Sequence, residues 1–218
     1  VAIVARPVRE LGIIVPYDSP IKSIKELKGK SIGIASVGSI TQWAALELAR
    51  SQGWKPEDVK LVSISSSGGA AAAAMRTHQV DADVSNLMSG VVMEKQKVAR
   101  VIAVASDFAS DFIMHEMSAS DALIKSNPDA IRRFIKVWFE AVAYMRNHKA
   151  EAIAAARPIT NLSAEDEEKE YDLLMPELVS DGHHDAAIVE HVANSFVELK
   201  LLPEKPDMSK LYTNEFLP

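Results

Sequence analysis

Short apolar runs of strand length alternate with helical patterns through the first half of the chain, and this alternation constrains the fold more than any single residue does. Strand-like runs fall at residues 2–5, 11–15, 31–35, 59–64, 82–85 and 100–105. Helical patterns fall at 23–27, 40–52, 68–78 and 90–97. Strands separated by helices at this spacing imply parallel βαβ units, with helices packed on both faces of a sheet. A further strand-like run at 112–117 closes this half, and beyond Ser120 the pattern is mostly helical. Residues 127–148 carry Ile131, Phe134, Ile135, Trp138, Val142 and Met145 at helical spacing, which predicts one buried face. Pro128 suits the first turn of that helix, where its missing N–H loses no bond. Helices are also expected over 163–174 and 185–199. The run EDEEKE at 165–170 reads as a solvated helix face.

Composition narrows the function classes. With 218 residues, 48% of them hydrophobic, the chain can bury a core in one large domain or two lobes. A net charge of −6 without a basic patch points away from nucleic acid. The sequence has no cysteine, which excludes disulfides, cysteine nucleophiles and Cys-ligated zinc within these residues. No apolar run reaches the length of a membrane-spanning helix. The chain opens inside a strand-like run, without Met or a charged leader. A signal peptide is therefore expected to be absent or removed, and the chain is expected to be a fragment.

The chemistry-bearing residues gather where strands end and helices begin. Ser36-Val37-Gly38-Ser39 separates the run at 31–35 from the helix at 40–52. Ser39 and Gln42 match a capping box, in which the serine accepts from the Gln42 amide and the Gln42 side chain reaches back to the Ser39 amide. That leaves the amides of Ile40 and Thr41 and the Thr41 hydroxyl for a ligand, with Gly38 letting it approach the backbone. A helix N-terminus at the carboxyl end of a parallel strand carries free amides and partial positive charge, the place where open α/β sheets bind ligands. The next unit repeats the pattern with Ser65, Ser66 and Ser67 before Gly68-Gly69, and a third edge carries Asn86. The spacing does not fit a nucleotide-binding P-loop. In DGHHD, His183 and His184 are adjacent and point in different directions. Asp185 reads as a helix cap, so no metal site is expected. No nucleophile elbow G-x-S-x-G occurs.

Read in order, SPIKSIKELKGKSIGIASVGS and then RTHQVDADV resemble the substrate-binding proteins of nitrate/sulfonate/taurine-type ABC importers, which read "ds-i-s--dLkGk-igv---gs" and then "al--G-vDA". SNPDAIRRFIKVWFEAVAYMRNH and the ending EKPDMSKLYTNEFLP resemble the same family, so the likeness spans nearly the whole chain. His78 departs from it, standing where the family has Gly just past a helix end. The start departs too, because the family carries further strands and helices of lobe one before this point.

The resemblance implies an α/β, two-lobed type 2 periplasmic-binding-protein fold, with a mostly parallel sheet flanked by helices and a helical C-terminal region. Residues 1–29 and 106–218 are expected to form lobe one, incomplete at its N-terminus, and residues 30–105 lobe two. The strand at 11–15 and the segment 106–112 are the expected crossovers. The implied function is that of the extracytoplasmic or periplasmic solute-binding component of an ABC importer. It performs no catalysis, needs no cofactor or metal, and acts as a monomer that hands its ligand to an inner-membrane permease. The implied ligand is small, polar and anionic, held by Ser36, Gly38, Ser39, Thr41, Ser65, Ser66, Ser67 and Asn86. With lobe one incomplete, weak or no ligand affinity is expected of these 218 residues alone. The alternatives are a ligand-sensing regulatory domain of the same fold, as in LysR-type regulators, and an enzyme resembling thiamine-pyrimidine synthases. The absence of cysteine disfavours the enzyme.

Overall fold

The computed structural model describes every residue of the chain except 65–67, 110 and 161. In chain order the strands are β1 (Ala2–Ala5), β2 (Leu11–Pro16), β3 (Ser31–Ile34), β4 (Lys60–Ser63), β5 (Ala82–Asn86), β6 (Ala99–Val104) and β7 (His115–Met117). The α-helices are α1 (Ile40–Ser51), α2 (Gly68–Arg76), α3 (Leu87–Lys95), α4 (Asp121–Ser126), α5 (Pro128–Asn147), α6 (Lys149–Thr160), α7 (Ala164–Leu174) and α8 (Ala186–Glu198). Chain contacts divide these into two compact units. One comprises Val8–Ser110 and Asn194–Lys205, the other Val1–Pro7, Asp111–Ala193 and Pro206–Pro218. Residues 8–29 group with the first unit through β2, which is hydrogen-bonded on both sides within its sheet, whereas the sequence expectation put them in lobe one.

The first unit is built on a five-stranded sheet of order β4-β3-β5-β2-β6. β3 runs parallel to β4 and to β5, as expected for strands joined through α1 and α2. β2 runs antiparallel to both of its neighbours, β5 and β6. The sheet is therefore mostly parallel in strand direction, with one reversed strand inserted. Alternation of strand and helix dictates direction only for neighbours linked by a crossover helix, and β2 reaches neither neighbour that way. All six residues of β2 are buried, the signature of a central strand covered on both faces. On one face Ile14 packs with Ala71, Ala74 and Met75 of α2 and Met93 of α3. Past the end of α2, His78 takes φ 51°, the left-handed conformation that glycine adopts most readily. On α1, Trp43 is buried and its Nε1 donates to Ser195 Oγ at 3.2 Å. Glu47 is buried as well, and Arg50 grips its carboxylate through Nε at 2.9 Å and Nη2 at 2.5 Å.

Among the described residues the second unit has two paired strands, β1 and β7, antiparallel with Ala2 opposite Met117 and Ile3 opposite Glu116. The other edge of β1 bonds to an irregular segment: Ile3 N–H donates to Gly182 O at 2.9 Å, and Val179 N–H to Val4 O at 3.1 Å. The core packs Ile131, Ile135 and Phe139 of α5 against Ala2 and Phe216. Phe134 was expected in this face and is instead 62% exposed. It lies on a second stripe of α5 with Val137 and Tyr144, rotated away from the line of Ile131, Ile135 and Val142 that the core selects. The acidic run also departs from expectation. Asp166 and Glu167 are buried in α7, with Asp166 accepting from the Ser163 hydroxyl at 2.7 Å. The strand expected over 112–117 pairs only at its end, as β7.

Candidate functional site

The edge of the five-stranded sheet where β3 and β5 end collects the residues singled out from sequence. β3 leads into the turn 35–39 and α1, while β5 leads directly into α3. The two strands are hydrogen-bonded neighbours, with Gly33 opposite Asp83, so both joins lie at one edge. Ser65, Ser66 and Ser67 fall outside the described residues.

At the first join the hydroxyl protons of Ser39 and Thr41 can both be placed. Ser39 Oγ donates to Ser36 O at 2.6 Å and accepts from the Gln42 amide at 3.3 Å, which is the N-cap bond expected. Having spent its single proton on Ser36, Ser39 can only accept from Thr41 Oγ1, 2.8 Å away. Thr41 Oγ1 in turn accepts from the Ala35 amide at 2.8 Å. Thr41 is buried, and its hydroxyl, expected to be free for a ligand, is consumed in holding the turn. The Gln42 side chain also differs from the expected box. It accepts from the Gly38 amide at 2.6 Å, one residue earlier than Ser39. Gly38 takes φ 80°, which swings its N–H toward the helix and explains both the shifted bond and the glycine. The Ser39 amide donates instead to Ser36 O at 3.3 Å. The amides of Ile40 and Thr41 in the first turn of α1 remain open at this join. Ser36 and Gly38 are exposed beside them. The join therefore offers donors, with the positive end of the α1 dipole behind them.

At the second join Asn86 is the N-cap of α3, its Oδ1 accepting from the Ser89 amide at 3.1 Å. Its carboxamide nitrogen is left as a donor on an exposed residue. The residue that sequence reasoning passed over is Asp83. It is 4% exposed, and burial pushes its carboxyl up to about 7. A charged residue inside the apolar strand VDADV was the visible signal.

The second unit holds the histidine cluster. Asp185 caps α8, accepting from the Ile188 amide at 2.9 Å, as expected. His184 is buried, its ring set between Asn214 Oδ1 at 3.2 Å and Glu116 Oε2 at 3.4 Å, while His183 is exposed. That pairing holds the Glu116 carboxyl below the usual range. Among the described residues no group of three or more His, Asp or Glu side chains could hold a metal ion. An open cavity of about 410 Å³ in this unit is lined by Arg6, Arg146, Asp181 and Asp185. Arg6 is held there by Asp111 at 3.3 Å and Asp185 at 3.4 Å.

Solved structures share this architecture. The periplasmic aliphatic sulphonate binding protein SsuA from Escherichia coli superposes with a TM-score of 0.74 at 22% identity, over 96% of this chain and 68% of that one. The alkanesulfonate-binding protein SsuA from Xanthomonas axonopodis pv. citri, bound to MOPS, gives 0.79 at 18% identity, over 96% and 71%. The desulfurization enzyme DSZB gives 0.65 at 16% identity, over 98% and 75%. At these identities the likeness shows the fold, that of periplasmic binding proteins. No curated protein matches the sequence. The model of the family described as "NMT1/THI5 like" matches residues 2–152, well over half of the chain, which therefore belongs to the NMT1/THI5-like family.

Proposed function

We propose that the chain is the solute-binding component of an ABC importer, working outside the cytoplasm and capturing a small anionic solute. The observation that carries this reading is the join between β3 and α1. The Ser39 and Thr41 protons are spent inside the turn, and two first-turn amides of a twelve-residue helix stay open. Amides at the positive end of a helix suit an anionic head group. The fold likeness to two sulfonate-binding proteins supports the same class of ligand. Ser36, Gly38 and Asn86 border the ligand in this reading. Ser39 and Thr41 shape the turn. Closure of two lobes on the solute and delivery to a membrane permease complete the cycle implied by the family resemblance. No helix among the described residues is long and apolar enough to cross a membrane.

An enzymatic reading draws on the likeness to DSZB, which has been studied as a cysteine-to-serine variant with a bound sulfinic acid. These 218 residues contain no cysteine. Calorimetric titration with ethanesulfonate and, separately, with ethylammonium tests the proposal. Weak saturable heat with the sulfonate alone is the expected result. Binding of the ammonium alone overturns the anionic assignment.

A further inference from the structure

The open cavity of the second unit, about 410 Å³, has the size of a small-molecule site, and its walls are held in place. The loop over 176–182 is tied to β1 along its length. Arg6 N–H donates to Glu177 O at 2.8 Å, Val179 N–H to Val4 O at 3.1 Å, and Ile3 N–H to Gly182 O at 2.9 Å. Gly182 takes φ 69°, and a Cβ there would lie 2.5 Å from Phe139 Cζ, so glycine lets the loop close onto α5. Arg146, in the last turn of α5, donates through Nη2 to Leu178 O of the same loop. The charged groups on these walls are of two kinds. Arg6 is neutralised within the protein, by Asp111 at 3.3 Å and Asp185 at 3.4 Å, and Asp185 also caps α8. Glu177 is buried, and His183 Nε2 accepts from Asn214 Nδ2 at 3.3 Å. Arg146 and Asp181 differ from these. Both are exposed and line the cavity, yet among the described residues neither has an ion-pair partner, and they do not pair with each other. Their hydrogen bonds go to the backbone: Arg146 donates to Leu178 O, and Asp181 Oδ1 accepts from the His183 amide at 3.1 Å.

We infer that this cavity is a second binding site, separate from the join between β3 and α1, and that it takes a small zwitterion whose carboxylate meets Arg146 and whose ammonium meets Asp181. A guanidinium has more N–H donors than one carbonyl can take, so Arg146 keeps a planar edge for a carboxylate. The Asp181 carboxylate keeps acceptor capacity beyond its one backbone bond, which suits an ammonium. The bond to Leu178 and the ties between the loop and β1 fix both groups in advance, so a ligand meets walls that need little ordering. A single exposed ion pair contributes little by itself. A molecule with one charge would gain one weak contact and leave the opposite wall unmatched. A molecule carrying both charges gains both contacts while ordering only itself, and that difference is the source of selectivity.

An NMR titration of the ¹⁵N-labelled chain tests this with glycine, β-alanine and γ-aminobutyrate, zwitterions of increasing reach. Butyrate and butylammonium, which carry one charge each, serve as the comparison. At least one zwitterion is expected to give saturable shifts at the amides of residues 179–183 and at Arg146 Nε. Its affinity there should exceed that of either singly charged probe roughly tenfold or more. Arg146→Gln and Asp181→Asn should each remove that preference. Both side chains are exposed, and unchanged shifts away from the cavity verify that the variants fold. Equal affinity for zwitterions and singly charged probes overturns the proposal, as does a preference that survives both substitutions. The absence of saturable shifts at residues 179–183 with all three zwitterions overturns it as well.

Discussion

The two units solve the same packing problem with unequal means. One surrounds a fully buried central strand with four others and covers the sheet with helices. The other rests on two strands, a pairing that is marginal by itself, and relies on helices and an irregular segment for the rest. Their surfaces differ accordingly. Phe134, Val137 and Tyr144 stand exposed on α5 of the second unit. Two buried polar atoms without a partner among the described residues, Trp138 Nε1 and Glu167 Oε1, also belong to that unit. A sheet satisfies its own polar groups and defines a clean edge for ligand contact. A helical layer with few strands leaves apolar side chains exposed and polar atoms buried without a partner.

Substitutions sharpen that contrast. Trp43→Ala removes a buried indole and its bond to Ser195 from the five-stranded unit. Chemical denaturation should register a loss of about 3–5 kcal/mol. A loss below about 1 kcal/mol would show that this core is looser than its burial indicates.

Asp83→Asn acts through pH. Folded, Asp83 keeps its proton up to about pH 7, whereas the unfolded chain releases it near pH 3.9. Between those values the folded state holds more protons, so stability declines as pH rises and levels off above 7. The asparagine variant should lack this decline and exceed wild type at pH 8 by at most on the order of 4 kcal/mol. Parallel stability curves for the two proteins between pH 4 and 8 would contradict the burial assigned to Asp83.

Ser39→Ala removes the N-cap of α1 and the acceptor for Thr41. The expected cost is about 1 kcal/mol in the urea midpoint, with faster amide exchange at Gln42. Phe134→Ala sits at the other extreme. Its ring is 62% exposed, and its truncation should change stability by no more than about 0.5 kcal/mol. A large effect there would mean that the exposed stripe of α5 is covered in solution.

Much of this fold was legible in advance because periodicity and capping are local. Ser39, Ser163 and Asp185 were readable as helix starts, and each accepts from the amide three residues on. Non-local choices were not legible. The direction of β2 depends on partners distant in sequence. The exposure of Phe134 depends on which side of α5 meets Ala2 and Phe216. The burial of Asp166 and Glu167 runs against the usual behaviour of an acidic run. At the site, the sequence pointed to the Ile40 and Thr41 amides and the Thr41 hydroxyl. The geometry spends the Ser39 and Thr41 protons on the turn and leaves the two amides open. Asp83 was visible only as a charge out of place, since its meaning depends on Gly33 and Ile64 lying beside it.

The central claim is that the join between β3 and α1, with its open first-turn amides, receives an anion. A ¹⁵N chemical-shift map with saturating ethanesulfonate at pH 6 tests it most directly. The account predicts the largest, saturable shifts at the Ile40 and Thr41 amides, with smaller ones at Gly38 and the Asn86 side chain. Shifts confined to the unit containing β1 and β7, with Ile40 and Thr41 unmoved, would contradict it.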